Sequence, residues 1–264
     1  MRHLPALVAV ACVTVCVSCA QQPARERSGK TPLDVASLPP PAPPAIVAPP
    51  RAPLNAVGRV NRQRGGFCSG ILIAPDKVLT TAHCLWDAQL GRWTAVADLH
   101  FQAGYHLGSD LAHRKGAAIE LPAGIEMTER GMPLRAMDDW AILTLDRPIG
   151  TESTIRPVDL AHLEGPLQPR NLGTLLRAGY GPRQPHALAS ARCKAVTPFN
   201  PSVLLHDCGA TFAEAGFPIL VEAPEGWRVL GLQMPSLNAS EVPKGLGMAL
   251  LVNVLAGQRR MVRW

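Results

Sequence analysis

No apolar run in this sequence is long enough to cross a bilayer as a helix: the run from Leu4 to Val17 has about fourteen residues, where about 20 are needed. Charge is sparse too, at 17% of residues, and it leans basic, with 26 Lys and Arg against 20 Asp and Glu for a net +6. The cations are scattered apart from a small cluster at Arg259, Arg260 and Arg263, and no nucleic-acid-binding motif accompanies them. That argues against a nucleic-acid partner and for a basic exported surface. The histidines at His100, His106, His113, His162, His186 and His206 lack any zinc spacing such as His-Glu-x-x-His, so no metal is expected and these rings are read as surface or packing groups. No motif asks for a cofactor, and no repeat of fixed period runs through the chain. What remains is 264 residues, 47% of them hydrophobic, enough for one large or two small packed units.

The chain begins with the shape of a secretory signal peptide over residues 1–20. Arg2 and His3 precede the apolar run, and small residues follow at Ser18, Cys19 and Ala20. Two cleavages fit. Cutting after Ala20 releases a secreted or periplasmic protein. Alternatively, Val17-Ser18-Cys19 resembles a bacterial lipobox, with Cys16 where Leu is usual, and lipidated Cys19 would tether the chain as an outer-membrane lipoprotein. Both readings take the mature protein out of the cytoplasm. Gln21 to Pro53 follows, with prolines clustered at Pro39–Pro41, Pro43–Pro44 and Pro49–Pro50. Such a run cannot sustain a sheet ladder and has little to bury, so it is expected to be an extended, semi-rigid linker over 21–53.

Of seven cysteines, Cys12, Cys16 and Cys19 lie in the export signal, leaving Cys68, Cys84, Cys193 and Cys208 for the folded part. Residues facing each other in an antiparallel hairpin have a constant index sum. Cys68 and Cys84 are centred on Asp76, inside the turn signal Ala74-Pro75-Asp76; Cys193 and Cys208 are centred inside Pro198-Phe199-Asn200-Pro201. The expected bridges are therefore Cys68–Cys84 and Cys193–Cys208. Each closes a loop of about 15 residues, which the chain-entropy model makes worth about 3 kcal/mol, in the oxidising compartment that export provides.

From Leu54 onward, short strand-like runs are broken by Gly, Pro and Asp: Gly70–Ile73, Val78–Thr81, Leu99–Ala103, Trp140–Leu145, Leu172–Ala178, Phe217–Val221, Arg228–Gln233 and Met248–Val252. Many short strands at even spacing predict an all-β sandwich or barrel, and Val254–Val262 reads as a short closing helix. Three segments then stand out in chain order. Thr80-Thr81-Ala82-His83-Cys84 puts a histidine directly after a strand, beside a bridged cysteine, where a general base would be held rigid. Asp139-Trp140-Ala141-Ile142-Leu143 puts a carboxylate at the start of an apolar strand. The third is Cys208-Gly209-Ala210-Thr211-Phe212-Ala213-Glu214-Ala215-Gly216-Phe217-Pro218.

Gly66-Phe67-Cys68-Ser69-Gly70 with Thr80–Cys84 resembles the histidine region of chymotrypsin-like (S1) serine proteases. Asp139–Leu143 resembles their Asp-x-Ala-Leu/Ile-Leu motif, and Ala213–Pro218 aligns with their Gly-Asp-Ser-Gly-Gly/Ser-Pro motif. The order His, Asp, nucleophile is that family's own. The resemblance covers about Leu54 to Leu255. It implies two six-stranded antiparallel β-barrels, about 54–155 and 156–264, with a short C-terminal helix. It also implies a site between the barrels that takes a peptide or protein ligand, in a monomer. His83 would be the general base and Asp139 its orienting carboxylate.

The third motif departs from the family. Ala215 stands at the nucleophile position, Ala213 at the glycine whose N–H is an oxyanion donor, Glu214 at the family's Asp, and Phe217 at a small residue, where it is expected to crowd the site. Glu214, one methylene longer, is not expected to meet the family's buried partner in the same way. Gly209, at the base of the substrate pocket, supplies no acid, and Gly231-Leu232-Gln233-Met234 resembles the pocket-wall strand. Removing a triad serine lowers turnover about 10⁶-fold, so the resemblance implies a homologue without catalysis. The retained His83 and Asp139 leave a weak endopeptidase as the alternative. Thr211, Ser69, Ser190 and Ser202 read as ordinary loop or strand hydroxyls.

Overall fold

The computed structural model describes residues 44–262 except 48, 150–153, 164, 166, 210–213, 236–241, 244 and 258. The signal peptide with Cys19, most of the Pro-rich run, Thr211 and Ala213 lie outside the described residues. No helix among the described residues is long and apolar enough to cross a membrane.

Among the described residues the secondary structure is all-β, with only short 3-10 turns between strands. The first strand corrects an expectation. β1 (Ala45–Val47) falls within the Pro-rich run, yet it pairs antiparallel with a later strand, Ala45 opposite Ser190 and Val47 opposite Leu188. Between the two proline pairs, Ala45, Ile46 and Val47 each keep a backbone N–H free to donate to a ladder. An edge position tolerates the prolines on either side.

Next come β2 (Val57–Arg62), β3 (Phe67–Ala74), β4 (Lys77–Thr80), the small hairpin β5 (Trp86–Asp87) and β6 (Arg92–Trp93), then β7 (Leu99–Ala103), β8 (Ala112–Pro122) and β9 (Ala141–Leu145). The order β8-β7-β2-β3-β4-β9 closes on itself through β8–β9 pairing, giving a six-stranded barrel. Inward residues fill it, among them Val60, Ile71, Leu79, Phe101, Ile119 and Leu143, each at most 1% exposed. Gly116 lets β8 cross close to its neighbours: a Cβ there would fall 2.5 Å from the Val96 carbonyl oxygen.

The second half supplies β10 (Leu175–Gly181), β11 (Gln184–Cys193), β12 (Ala195–Asn200), β13 (Val203–His206), β14 (Pro218–Ala223), β15 (Gly226–Gln233) and β16 (Gly247–Leu251). With β1 they form an eight-stranded sheet in the order β1-β11-β10-β14-β15-β16-β13-β12, where the resemblance implied six strands. The closing helix is not seen. A five-residue 3-10 turn, Val252–Ala256, leads into β17 (Arg259–Val262), which pairs with β8 of the first barrel, Arg259 opposite Pro122 and Val262 opposite Ile119. An isolated helix of that length is marginal, whereas the free edge of β8 offers a ready ladder. Each end of the described chain thus joins the sheet built mainly by the opposite half.

Both disulfides form as expected, Cys68–Cys84 and Cys193–Cys208. For the second, β12 and β13 pair with index sums of 401 to 403, so 193 and 208 do face each other across the hairpin. For the first, the hairpin argument needs correction. β3 and β4 pair as Ile71 with Leu79 and Leu72 with Val78; extending that register sets Ala82, not Cys84, against Cys68. Cys84 reaches back because Ala82–Leu85 coils into a 3-10 turn after β4 ends.

Candidate active site

The register of β4 on β9 builds the site's first half. Thr80 faces Ala141 and Leu79 faces Ile142, so the segments beyond both strands leave the same edge of the barrel, and extending the pairing sets Ala82 against Asp139. On one side the chain coils into the Ala82–Leu85 turn carrying His83. On the other it arrives through the 3-10 turn Ala136–Asp138, which Asp139 caps. His83 Nδ1 lies 2.8 Å from Asp139 Oδ2 and 3.0 Å from Oδ1, and the His83 backbone N–H donates to Oδ1 at 3.0 Å. A carboxylate only accepts, so the ring hydrogen sits on Nδ1 and Nε2 is left as the acceptor. Asp139 is 3% exposed, and the His83 side chain keeps 19% of its surface. The neighbouring Asp138 faces Arg135 at 3.6 Å and takes no part. Thr81 Oγ1 lies 2.8 Å from Cys84 Sγ, and that sulphur lies 3.6 Å from Nε2.

The third segment, from the second sheet, approaches the first barrel at Thr81. Gly216, at φ +84°, backs onto the strand end that carries His83: a Cβ there would sit 3.0 Å from Thr81 Oγ1 and 3.7 Å from the Ser69 carbonyl oxygen. Its N–H donates to the Gln233 carbonyl at 2.8 Å, and the Gln233 N–H donates to the Phe217 carbonyl at 2.8 Å. Ala215, just before it, carries only a methyl. Among the described residues no Ser or Thr hydroxyl is hydrogen-bonded to His83 Nε2. Ser69 is fully buried, with its Oγ accepting the Tyr180 N–H at 2.7 Å across the seam between the sheets. Ser190 lies within β11 and Ser202 in the turn after β12.

One expectation about this segment changes. Phe217 does not crowd the site. It is 3% exposed, and its ring lies on β10 where Gly179 leaves room, 2.4 Å from the point a Cβ there would occupy. Glu214, in turn, has a buried partner. Arg177 of β10, with 5% of its side chain exposed, donates through Nη1 to Glu214 Oε2 at 3.1 Å and to the Gly209 carbonyl at 2.6 Å. One guanidinium thus binds both flanks of residues 210–213. Burial lowers the proton affinity of Arg177, and Glu214 opposes that. A lone arginine inside the apolar run Leu175–Gly181 was the sequence signal for such a pairing.

Around Gly209, the position read as the pocket base, packing is close. The His206 ring lies against Gly247, where a Cβ would fall 2.3 Å from its Cε1 and 2.8 Å from the Gly209 carbonyl oxygen. His206 is fully buried, and burial, followed by the field of Arg177, holds its pKa down to about 3, so it is neutral. Gln233 is also fully buried; its amide N–H₂ donates to the Met234 and Met248 carbonyls, both at 3.0 Å. Two His/Cys groups come within metal-binding reach, Cys68-His83-Cys84 and Cys193-His206-Cys208, but each contains both halves of a disulfide, and a bridged sulphur is not a thiolate ligand.

Comparison with known proteins agrees with this fold. Human Kallikrein-4 is 30% identical over 96 residues, 36% of this chain and 33% of Kallikrein-4, so the chain spans about a third of that relative's length. Among solved structures, a Glu endopeptidase superposes with a TM-score of 0.61 at 18% identity over 81% of this chain and 95% of that one. The VesB protease of Vibrio cholerae gives 0.57 at 18% identity over 81% and 65%. At those identities the likeness is one of fold. The trypsin family model matches residues 48–198, more than half of the sequence, a span that holds His83 and Asp139 and ends before Ala215; the chain belongs to the trypsin family.

Proposed function

We propose that this protein is a trypsin-family pseudoprotease, exported from the cytoplasm, that holds a peptide or protein ligand against the His83 edge without cutting it. One observation carries the reading: the His83–Asp139 pair is formed, 2.8 Å apart, while Ala215 stands in the sequence where the family's motif has its serine. A general base needs a hydroxyl to deprotonate before an acyl intermediate can form. Loss of the serine alone removes about 10⁶ in turnover, roughly 8 kcal/mol of barrier.

Serine-directed fluorophosphonate labelling of the purified protein tests this directly. No adduct is expected on the wild type, and a clear adduct at any residue ends the reading. Ala215→Ser with Ala213→Gly restores the hydroxyl and the family's glycine, and is expected to gain labelling and peptide hydrolysis, because the base and its carboxylate are already in place. The second reading, a weak endopeptidase, rests on that retained pair. It requires turnover of a broad peptide library by the wild type, abolished in His83→Ala.

A further inference from the structure

Beside the His83 turn, on the first barrel alone, lies a cavity of about 330 Å³ whose lining includes Arg62, Arg64 and Arg92. None of the three forms an ion pair among the described residues. Arg62 is built in. Its Nη1 donates to the Trp86 carbonyl at 2.8 Å, and its guanidinium lies against Gly66, where a Cβ would fall 2.5 Å from Nη2. Arg64 and Arg92 stand exposed on the rims. The lining also holds two acids, Asp87 and Asp98, the first accepting the backbone N–H groups of Gln89 and Leu90 at 3.0 and 3.1 Å through Oδ1. Three guanidiniums against two carboxylates leave the lining net cationic. Three guanidiniums around one concavity suit carboxylates, which they bind through paired N–H donors.

The cavity is not purely ionic. Trp93 lines it and also lines an adjoining hollow of about 580 Å³ with Trp86; the two rings meet edge to face at 5.0 Å. Trp86 N–H caps the 3-10 turn by donating to the His83 carbonyl. Trp86 thus follows the His83 turn directly, and Trp93, in contact with it, lines the arginine-bearing cavity.

We infer that this cavity is a recognition site for an acidic peptide segment, its carboxylates on Arg62, Arg64 and Arg92 and an apolar side chain on the Trp86–Trp93 pair. The inference deepens the reading above, and the choice of a peptide over another polyanion rests on it. Binding of three fluorescein-labelled nonapeptides to the purified protein, followed by anisotropy at low and moderate salt, tests it: alternating Glu and Leu, alternating Gln and Leu, and alternating Lys and Leu. Inorganic polyphosphate serves as competitor. The acidic peptide is expected to bind at least tenfold tighter than the other two, to weaken with salt, and to lose at least tenfold in Arg64→Glu/Arg92→Glu. Arg64→Gln/Arg92→Gln serves if the reversed charges disturb folding, and should weaken binding in the same direction. Equal affinity for acidic and neutral peptides, binding indifferent to both arginine variants, or polyphosphate competing as well as the acidic peptide itself would each overturn the inference. Acidic-peptide binding lost in His83→Ala but kept in both arginine variants leaves the pseudoprotease reading standing and removes this one.

Discussion

A guanidinium buried in a strand of a packed sheet is tolerable only beside a counter-charge, and for Arg177 that charge is Glu214. Breaking a buried pair by removing one partner costs about 3–5 kcal/mol, because the survivor stays charged without compensation. Glu214 keeps 18% of its side chain exposed, so Glu214→Gln is expected near the low end, about 3 kcal/mol. Arg177→Met/Glu214→Gln should recover most of that loss, and urea denaturation of the two single variants and the double measures the coupling. His206 sets a pH dependence of opposite origin. Its folded pKa of about 3 lies below the ordinary 6.5, so between those values the unfolded chain binds the extra proton. Its contribution to stability is therefore complete above about pH 6.5 and is lost as pH falls toward 3. Wild-type unfolding should approach a slope of one proton in this window, a tenfold fall in the folding constant per pH unit; His206→Gln should flatten it, as read from denaturant midpoints between pH 7 and 4.

At the scale of elements, the strands that alternate cleanly were legible. Leu99–Ala103 appears as read, and Trp140–Leu145 and Arg228–Gln233 differ only at an end. The eleven-residue β8 was not read, because its first half, Ala112-His113-Arg114-Lys115-Gly116, is polar on its outer face and broken by a glycine that close packing, not a turn, requires. β17 was misread because what decides its form is the free edge of β8, more than a hundred residues away. In the site, His83 and Asp139 were legible, since both follow from motif and strand order. Arg177 and the inward turn of Phe217 were not, since both depend on which face of β10 meets the Glu214 segment. The Cys68–Cys84 bridge joins these levels. It ties the turn carrying His83 back to β3, so Cys68→Ala/Cys84→Ala should lose about 3 kcal/mol and also loosen the base itself. Hydrogen exchange at residues 82–85 should rise more than exchange in β7, while Cys193→Ala/Cys208→Ala should spare that turn.

At the scale of the whole molecule, the seam between the sheets decides whether the site exists at all, because His83 comes from one sheet and Ala215 from a segment bounded by the other. The seam is polar and specific. Ser69 Oγ accepts the Tyr180 N–H at 2.7 Å and donates to the Tyr180 carbonyl at 3.3 Å, the Tyr180 hydroxyl donates to the Tyr105 carbonyl at 2.7 Å, and Arg59 Nη1 donates to the Pro185 carbonyl at 3.0 Å. Burial pushes the Tyr180 phenol upward, so it stays a neutral donor. β1 and β17 cross between the sheets as well, so neither sheet is made from one continuous stretch of chain. A molecule laced this way should unfold in a single transition. Ser69→Ala leaves the buried Tyr180 N–H without an acceptor, at a cost of about 1–3 kcal/mol, with no hydroxyl removed from the His83 side. In the Ala215→Ser/Ala213→Gly background it should lower the unfolding midpoint by several degrees while still allowing fluorophosphonate labelling below that midpoint. Two separate transitions in calorimetry, or labelling lost while the fold persists, would mean that the two sheets are coupled through something other than this seam.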